Sequence, residues 1–305
     1  MKRIVIVANK WWEADPLCSV LIHDKARPPI FTSFSFLNYP AQHRSSLSLG
    51  MPRPPDPPTK PRMTFMIAGD VVEIWCLEDL LNQSESSSSS LEKARVLPMA
   101  LGLGALPDLV IAFGTAGSRE GVSINGSVVI GRRVFIHDPW NGTGPSPRWH
   151  PPEPDTIVDS RLSPFIFRKI RDEARAAAEV RMLVAPINPA TPPLIFASDS
   201  FVSLGFVNVV NREDFAWADA SAVAAFKSAR VNGQIGSIET THGIIRSVSA
   251  SPFLYVSGIT DTEGLFEFHV TPRMYSQRNV AAHNAAIAIA WLLPDLIANL
   301  PVNRG

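Results

Sequence analysis

Several short stretches of this 305-residue chain hold side chains and glycines placed for chemistry. Glu13 lies just past a compact β-branched run, residues 4–8. Gly114-Thr115-Ala116-Gly117-Ser118 follows the apolar run 108–113, and Ser198-Asp199-Ser200-Phe201-Val202 follows 194–197. Residues 236–261 read as a helix and then a strand, with Glu239 at the helix start and Asp261 just past the apolar run 253–259. A strand that ends in Gly-Thr-Ala-Gly lets backbone N–H groups approach an anion or a sugar closely. Ligands of open α/β sheets collect at the C-terminal edge of the strands. A carboxylate there is costly unless it is paired, hydrated or used. Plainer readings stand beside each residue. Asp261 is also a capping residue of the Thr-Asp-Thr-Glu-Gly turn, and Glu239 a first-turn acid favoured by the helix dipole. Thr115 is also a helix cap, Phe201 a core aromatic, His242 a packed or capping histidine, and His283 a structural one.

The elements that must position these residues alternate between strand and helix through much of the chain, which points to α/β layers. Residues 4–8 predict a first strand and 9–15 a turn into a helix, with Pro16 in or near its first turn. Residues 64–70 and 71–77 predict a hairpin turning near Gly69-Asp70, and 91–103 a helix. Strands follow at 127–130 and 133–136, then a charged outer helix over 163–182 and mostly helix over 215–230. Ser251-Pro252 ends the Glu239 helix. The last apolar helix, 279–293, is expected to stop at Pro294. Residues 27–62 hold nine prolines, Pro28 to Pro61, and read as a surface excursion rather than regular core. The whole chain, 1–305, reads as one α/β domain carrying that excursion at about 27–62.

Composition narrows the class. The chain is 46% hydrophobic and 18% charged, enough for a sizeable core. Its 28 basic and 28 acidic residues balance, with a pI near 7.1, which argues against a nucleic-acid partner. Cys18 and Cys76 make neither a disulfide framework nor a metal site by spacing. No His/Cys/Asp/Glu cluster has metal spacing, so no metal and no cofactor are expected. The N-terminal apolar run is interrupted by Asn9 and Lys10, a poor signal peptide. No stretch approaches the roughly 18 apolar residues of a membrane span, so no membrane partner is expected and a cytoplasmic location is. There is no GxGxxG fingerprint and no P-loop.

Taken in order, the acid in VANKWWEAD, the turn FGTAGS, the stretch SDSFV, and the pair SIETTHG with GITD resemble the nucleoside phosphorylase and nucleosidase superfamily. Within it they resemble the methylthioadenosine/S-adenosylhomocysteine nucleosidase-like branch. The likeness implies an α/β fold with a mixed, partly barrel-like sheet flanked by helices, and a homodimer or higher homo-oligomer. It fails over about 25–62 and 139–155. It implies that Gly114, Thr115, Ala116 and Gly117 line the pocket for phosphate or the nucleophilic water. Phe201 would stack on the base, worth about 1–3 kcal/mol by analogy with nucleic-acid stacking, and the backbone of Val202 would meet the base edge. Ile238 takes the place of the family's methionine, and Glu239 matches the acid that grips the ribose hydroxyls. Asp261 matches the aspartate that helps the purine leave, with Thr260 in place of serine. Glu13 resembles the acid that orients the attacking water.

These residue types suit cleavage of an N-glycosidic bond. The reaction makes an oxocarbenium-like sugar and an electron-rich base, and a nearby acid that protonates the base speeds its departure. A carboxylate on the 2′- and 3′-hydroxyls fixes the ribose and favours the developing positive charge. Phosphorylases of the superfamily hold phosphate with an arginine two residues before the Gly-Thr turn, where this chain has Ala112. Their N-terminal phosphate loop is replaced here by ANKWWEAD. Water is therefore the expected nucleophile and a purine-type nucleoside the expected partner. Phosphorolysis, with inorganic phosphate as co-substrate and Lys10, Arg119 or Arg246 as its cation, is the alternative. A nucleoside-binding protein without turnover is a second alternative. The Trp11-Trp12 pair is a candidate cover for a 5′-substituent.

Overall fold

Two strands form the axis of the protein. β1 (Arg3–Ala8) and β5 (Leu109–Ser118) are almost continuously buried apolar runs, the pattern of parallel strands covered on both faces. The structure is a computed structural model describing residues 1–23, 34–38, 61–81, 90–102, 106–118, 125–131, 134–137, 168–185, 190–203, 213, 216–218, 220–221, 224, 235–239, 241–262 and 275–300.

The described strands join one mixed sheet of eleven. One path runs β2 (Phe34–Asn38), β3 (Met63–Ile67), β4 (Asp70–Cys76), β1, β5, β10 (Ile235–Glu239), β9 (Asp199–Ser203) and β7 (Val134–His137). A branch leaves β5 through β11 (Phe253–Thr262) to β6 (Val128–Gly131) and β8 (Ile195–Ala197). β5 thus has three partners: β1 and β11 in parallel, and β10 antiparallel at Ile238↔Gly117.

Strand period decides which core each residue joins. Ile4, Ile6 and Ala8 of β1, with Leu109, Ile111 and Phe113 of β5, pack in one buried cluster with helices α1 (Trp11–His23) and α6 (Tyr275–Asn299). Val5, Val7, Val110 and Ala112 point the other way, into a second cluster. There they meet α2 (Leu77–Leu81), α3 (Ser90–Leu101) and α5 (His242–Val248). α4 (Glu173–Glu179) is capped by Asp172, whose side chain accepts from the Arg175 N–H. Cys18 and Cys76 are free and buried.

The expected α/β layering with a mixed sheet is observed. So is the hairpin: β3 and β4 join through Ala68 and Gly69, with φ of 49° and 87°, the two positive φ values a tight hairpin turn requires. Other expectations are corrected. FGTAGS is not a turn after a strand; β5 runs on through Ser118 because β11 pairs with it as far as Thr262. SDSFV is likewise strand, β9, paired to β7 and β10. Glu239 ends β10 instead of starting a helix, and α5 begins three residues later. Thr115, inside β5, caps no helix.

Proline proved less decisive than its chemistry suggests. Pro294 lies inside α6, where the burial of Leu296, Ile297 and Leu300 offsets the lost backbone hydrogen bond. Pro16 is the sixth residue of α1, beyond its first turn. The excursion at 27–62 supplies one strand, β2, which pairs antiparallel with β3; residues 24–33 and 39–60 lie outside the described residues. Of the helix expected over 163–182, Glu173–Glu179 forms α4 after a break at 170–172, while residues 163–167 and most of 215–230 lie outside the described residues. Residues 278–299 of α6 are long and apolar enough to cross a membrane by length and composition, which corrects the expectation that no stretch is. Within the fold that stretch is core: 78% of its most apolar window is buried, against α1 and β11.

Candidate active site

The end of β1 and the start of α1 place Glu13 against β5. The Glu13 carboxylate is 3% exposed. Its Oε1 accepts from the backbone N–H and the hydroxyl of Thr115, both at 2.8 Å, and its Oε2 from the Lys10 N–H at 2.9 Å. Gly114 has no side chain for a reason of space: a Cβ there would stand 2.9 Å from Glu13 Oε1. Burial raises the Glu13 pKa, and the bonds from Thr115 and Lys10 oppose that rise.

Glu239 approaches from β10. Its Oε2 accepts from the Thr241 N–H at 2.5 Å and its Oε1 from the His242 N–H at 2.7 Å. The carboxylate thereby takes two orphan donors at the start of α5, as an N-cap side chain does. Burial pushes its pKa up to about 8 against the pull of those bonds. The His242 ring stacks on Tyr255 at 5.3 Å, and its Nδ1 lies 3.4 Å from Glu239 Oε1. Burial pushes the His242 pKa down to about 3, so the ring is neutral at physiological pH. His242 is packed, as expected, and it also lines the cavity.

Glu13 and Glu239 line one cavity of about 30 Å³, with Asn9, Phe113, Gly114, Thr115, Thr241, His242 and Ile245. That is space for about one water molecule rather than a nucleoside. The remaining sequence candidates converge by strand register. Gly117 of β5 stands opposite Ile238 of β10 on one side and Asp261 of β11 on the other. Ile238 in turn faces Phe201, and Glu239 faces Val202, across the β10–β9 pair. The side chains of Phe201 and Val202 lie outside the described residues. A register shift between Ile259 and Asp261 sets Thr260 apart; its hydroxyl reaches Ala116 O at 3.2 Å and also bonds Asp261 Oδ1. Asp261 is 4% exposed. It is not in the wall of the Glu13–Glu239 cavity.

The candidate phosphate cations are engaged elsewhere or lie outside the described residues. Lys10 pairs with Glu78 at 3.2 Å, and Arg246 donates to Ser249 O at 2.8 Å, at the far end of α5. Arg119 lies outside the described residues. Trp11 and Trp12 line a separate groove of about 270 Å³ between α1 and α6, with His283. Among the described residues no three His, Cys, Asp or Glu side chains group to hold a metal.

Sequence reasoning missed Lys93. It sits on α3, 3% exposed, and its Nζ donates to Thr241 Oγ1 at 3.3 Å. A signal was available: Lys93, Val96, Leu97 and Ala100 follow the i, i+3, i+4, i+7 spacing of one helix face, and all are buried.

No protein-family model matches the sequence, and no curated protein matches it. Solved structures do. A 5′-methylthioadenosine/S-adenosylhomocysteine nucleosidase from Colwellia psychrerythraea 34H, in complex with adenine, is 12% identical, with a TM-score of 0.54 over 98% of this chain and 96% of that one. The S-adenosylhomocysteine nucleosidase from Streptococcus pyogenes, in complex with 5-methylthiotubericidin, is 13% identical, with a TM-score of 0.56 over 99% and 98%. Futalosine hydrolase of Helicobacter pylori strain 26695 is 10% identical, with a TM-score of 0.55 over 96% and 98%. The chain shares its fold with these nucleosidases, as the sequence resemblance implied.

Proposed function

We propose that the protein is a nucleosidase, which hydrolyses the N-glycosidic bond of a purine-type nucleoside with water as nucleophile. One observation carries the choice of water over phosphate. The Thr115 N–H and hydroxyl, donors that would otherwise be offered to an anion, already bond the Glu13 carboxylate. Phosphate would have to displace that carboxylate and then lie against its negative charge. Water faces no such penalty, and the cavity between Glu13 and Glu239 is of its size.

In this reading Glu13 orients the water and takes its proton as it attacks C1′. Glu239 grips the ribose hydroxyls and stabilises the oxocarbenium-like sugar. Asp261, one strand away at the Gly117 register, protonates the leaving base. Ile238, Phe201, Val202, Ala116 and Gly117 frame the nucleoside. The reading takes the chain as one domain in a soluble, cytoplasmic homo-oligomer, without metal or cofactor. Adenine in the Colwellia neighbour supports a purine substrate.

The test is free-base release from a panel of purine nucleosides, with and without phosphate. Phosphate-independent release that Asp261→Asn abolishes is the expected result. Strict phosphate dependence would transfer the protein to the phosphorylases. Binding without release by the wild type would make it a nucleoside-binding protein.

A further inference from the structure

We propose that Lys93 is the counter-ion of the cavity: from α3 it holds Thr241 and sets the charge with which Glu13 and Glu239 meet their ligand. The role at the ligand rests on the nucleosidase reading; the electrostatic role does not.

The geometry points this way from two directions. Lys93 is buried, and among the described residues its hydrogen bond is to Thr241 Oγ1. Thr241 forms part of the cavity wall, and its own N–H bonds Glu239 Oε2. One residue, through its hydroxyl and its backbone N–H, thus links the ammonium to the carboxylate. The second direction is charge balance. α2 presents Glu78 and Asp79, but Glu78 is paired with Lys10 and Asp79 with Arg62. α5 presents His242, kept neutral by burial, and Arg246, which bonds the Ser249 carbonyl. Arg3 and Glu73 pair with each other, and Arg3 bonds the carbonyls of Ala100 and Leu101 at the opposite end of α3. Glu13 and Glu239 both act on Lys93, whose hydrogen bond is to Thr241 and not to a carboxylate, while Lys10, which also acts on Glu13, is paired with Glu78. An ammonium that only filled space would be a poor choice, since burying a charge costs several kcal/mol and a methionine would fill the same volume.

The electrostatics agree. Burial pushes the Lys93 pKa down to about 8, with Lys10 pulling the same way and Glu239, Glu13 and Glu78 opposing. Burial pushes Glu239 up to about 8, and Lys93 opposes that rise. The two groups titrate over one interval and must be treated as a coupled pair. Below it the site holds an ammonium and a protonated Glu239; above it, a neutral amine and a carboxylate. Nucleoside handling that needs both charges is favoured within the interval and falls on both sides.

The experiment is a carbon-13 NMR titration of Glu239 Cδ and Lys93 Cε in wild type, Lys93→Met and Lys93→Arg, with the pH profile of base release recorded beside it. Wild type is expected to show both resonances moving over a shared interval. In Lys93→Met, Glu239 should keep its proton about one pH unit or more higher, the usual effect of removing a nearby opposite charge. Lys93→Arg should restore the Glu239 titration and push the alkaline fall in base release upward, because a guanidinium does not lose its proton there. An unshifted Glu239 titration in Lys93→Met would overturn the proposal. So would well-separated intervals in wild type, a result that does not depend on either variant folding. If wild type releases no base, the nucleosidase reading fails while the titrations still decide the role of Lys93.

Discussion

Two buried clusters of charge sit about the ends of β1, β4 and β5, and they are built differently. In the first, Arg62 donates to both oxygens of Asp79, at 2.9 and 2.7 Å, and to Asp15 Oδ1 at 2.5 Å. A guanidinium fork laid on a carboxylate leaves little for a ligand to do, and the result ties the start of β3 to α1 and α2. In the second, Glu13 and Glu239 bond backbone N–H groups and one hydroxyl, and both line a cavity. Their countercharge stands behind the wall, on Lys93. The difference separates architecture from chemistry. Acids satisfied by a rigid cation stabilise, and acids held by neutral donors at a cavity remain available to a ligand.

The comparison can be broken from either side. Arg62→Met leaves Asp79 buried and Asp15 half-buried without their shared cation and should cost about 3–5 kcal/mol of stability. Denaturant unfolding reads that loss, and base release per folded molecule should stay at the wild-type level. Asp261→Asn should do the reverse: base release falls about 10²–10⁴-fold, the usual weight of a general acid, with an unchanged melting temperature. Loss of stability in place of activity would make Asp261 a turn residue. Gly114→Ala sharpens the contrast, because the three atoms nearest its Cβ would all belong to the carboxylate end of Glu13. Displacing that carboxylate by about 1 Å should lower kcat about 10²-fold while the fold holds.

The smallest effect is a pH dependence. The unfolded chain protonates histidine near its ordinary 6.5, whereas buried His242 resists protonation down to about 3. Between those values the unfolded state binds the extra proton, so stability drops as pH falls. Glu13 and Glu239 act in the opposite sense, since burial raises both above the ordinary carboxylate value. The comparison of wild type with His242→Phe isolates the histidine. The melting-temperature advantage of the phenylalanine variant should grow as pH falls from about 6.5 toward 4. A constant difference would place solvent around the ring.

How much of this was legible follows from which signals are local. Residues 4–8, 108–113 and 253–259 announced their strands, since β-branched runs buried on both faces need no partner to be recognised. The hairpin was visible in Gly69. What failed was the end of each strand. FGTAGS and SDSFV have the composition of turns, yet β5 and β9 continue because neighbouring strands supply hydrogen-bond partners for their backbones. Glu239 has the composition of a helix start. It does serve α5, but from the last position of a strand, with its side chain reaching forward to Thr241 and His242.

The sequence by itself determined the class of fold and named Glu13, Glu239 and Asp261, because side-chain chemistry and short-range pattern are written residue by residue. Only the tertiary structure decided that Glu13 occupies the donors of Thr115, that Ile238 and Asp261 flank Gly117, and that Lys93 stands behind Thr241. Those juxtapositions join residues about 100 to 150 positions apart. They depend on three strands meeting at β5, and sheet register, unlike propensity, is a property of the partners as well as of the strand itself.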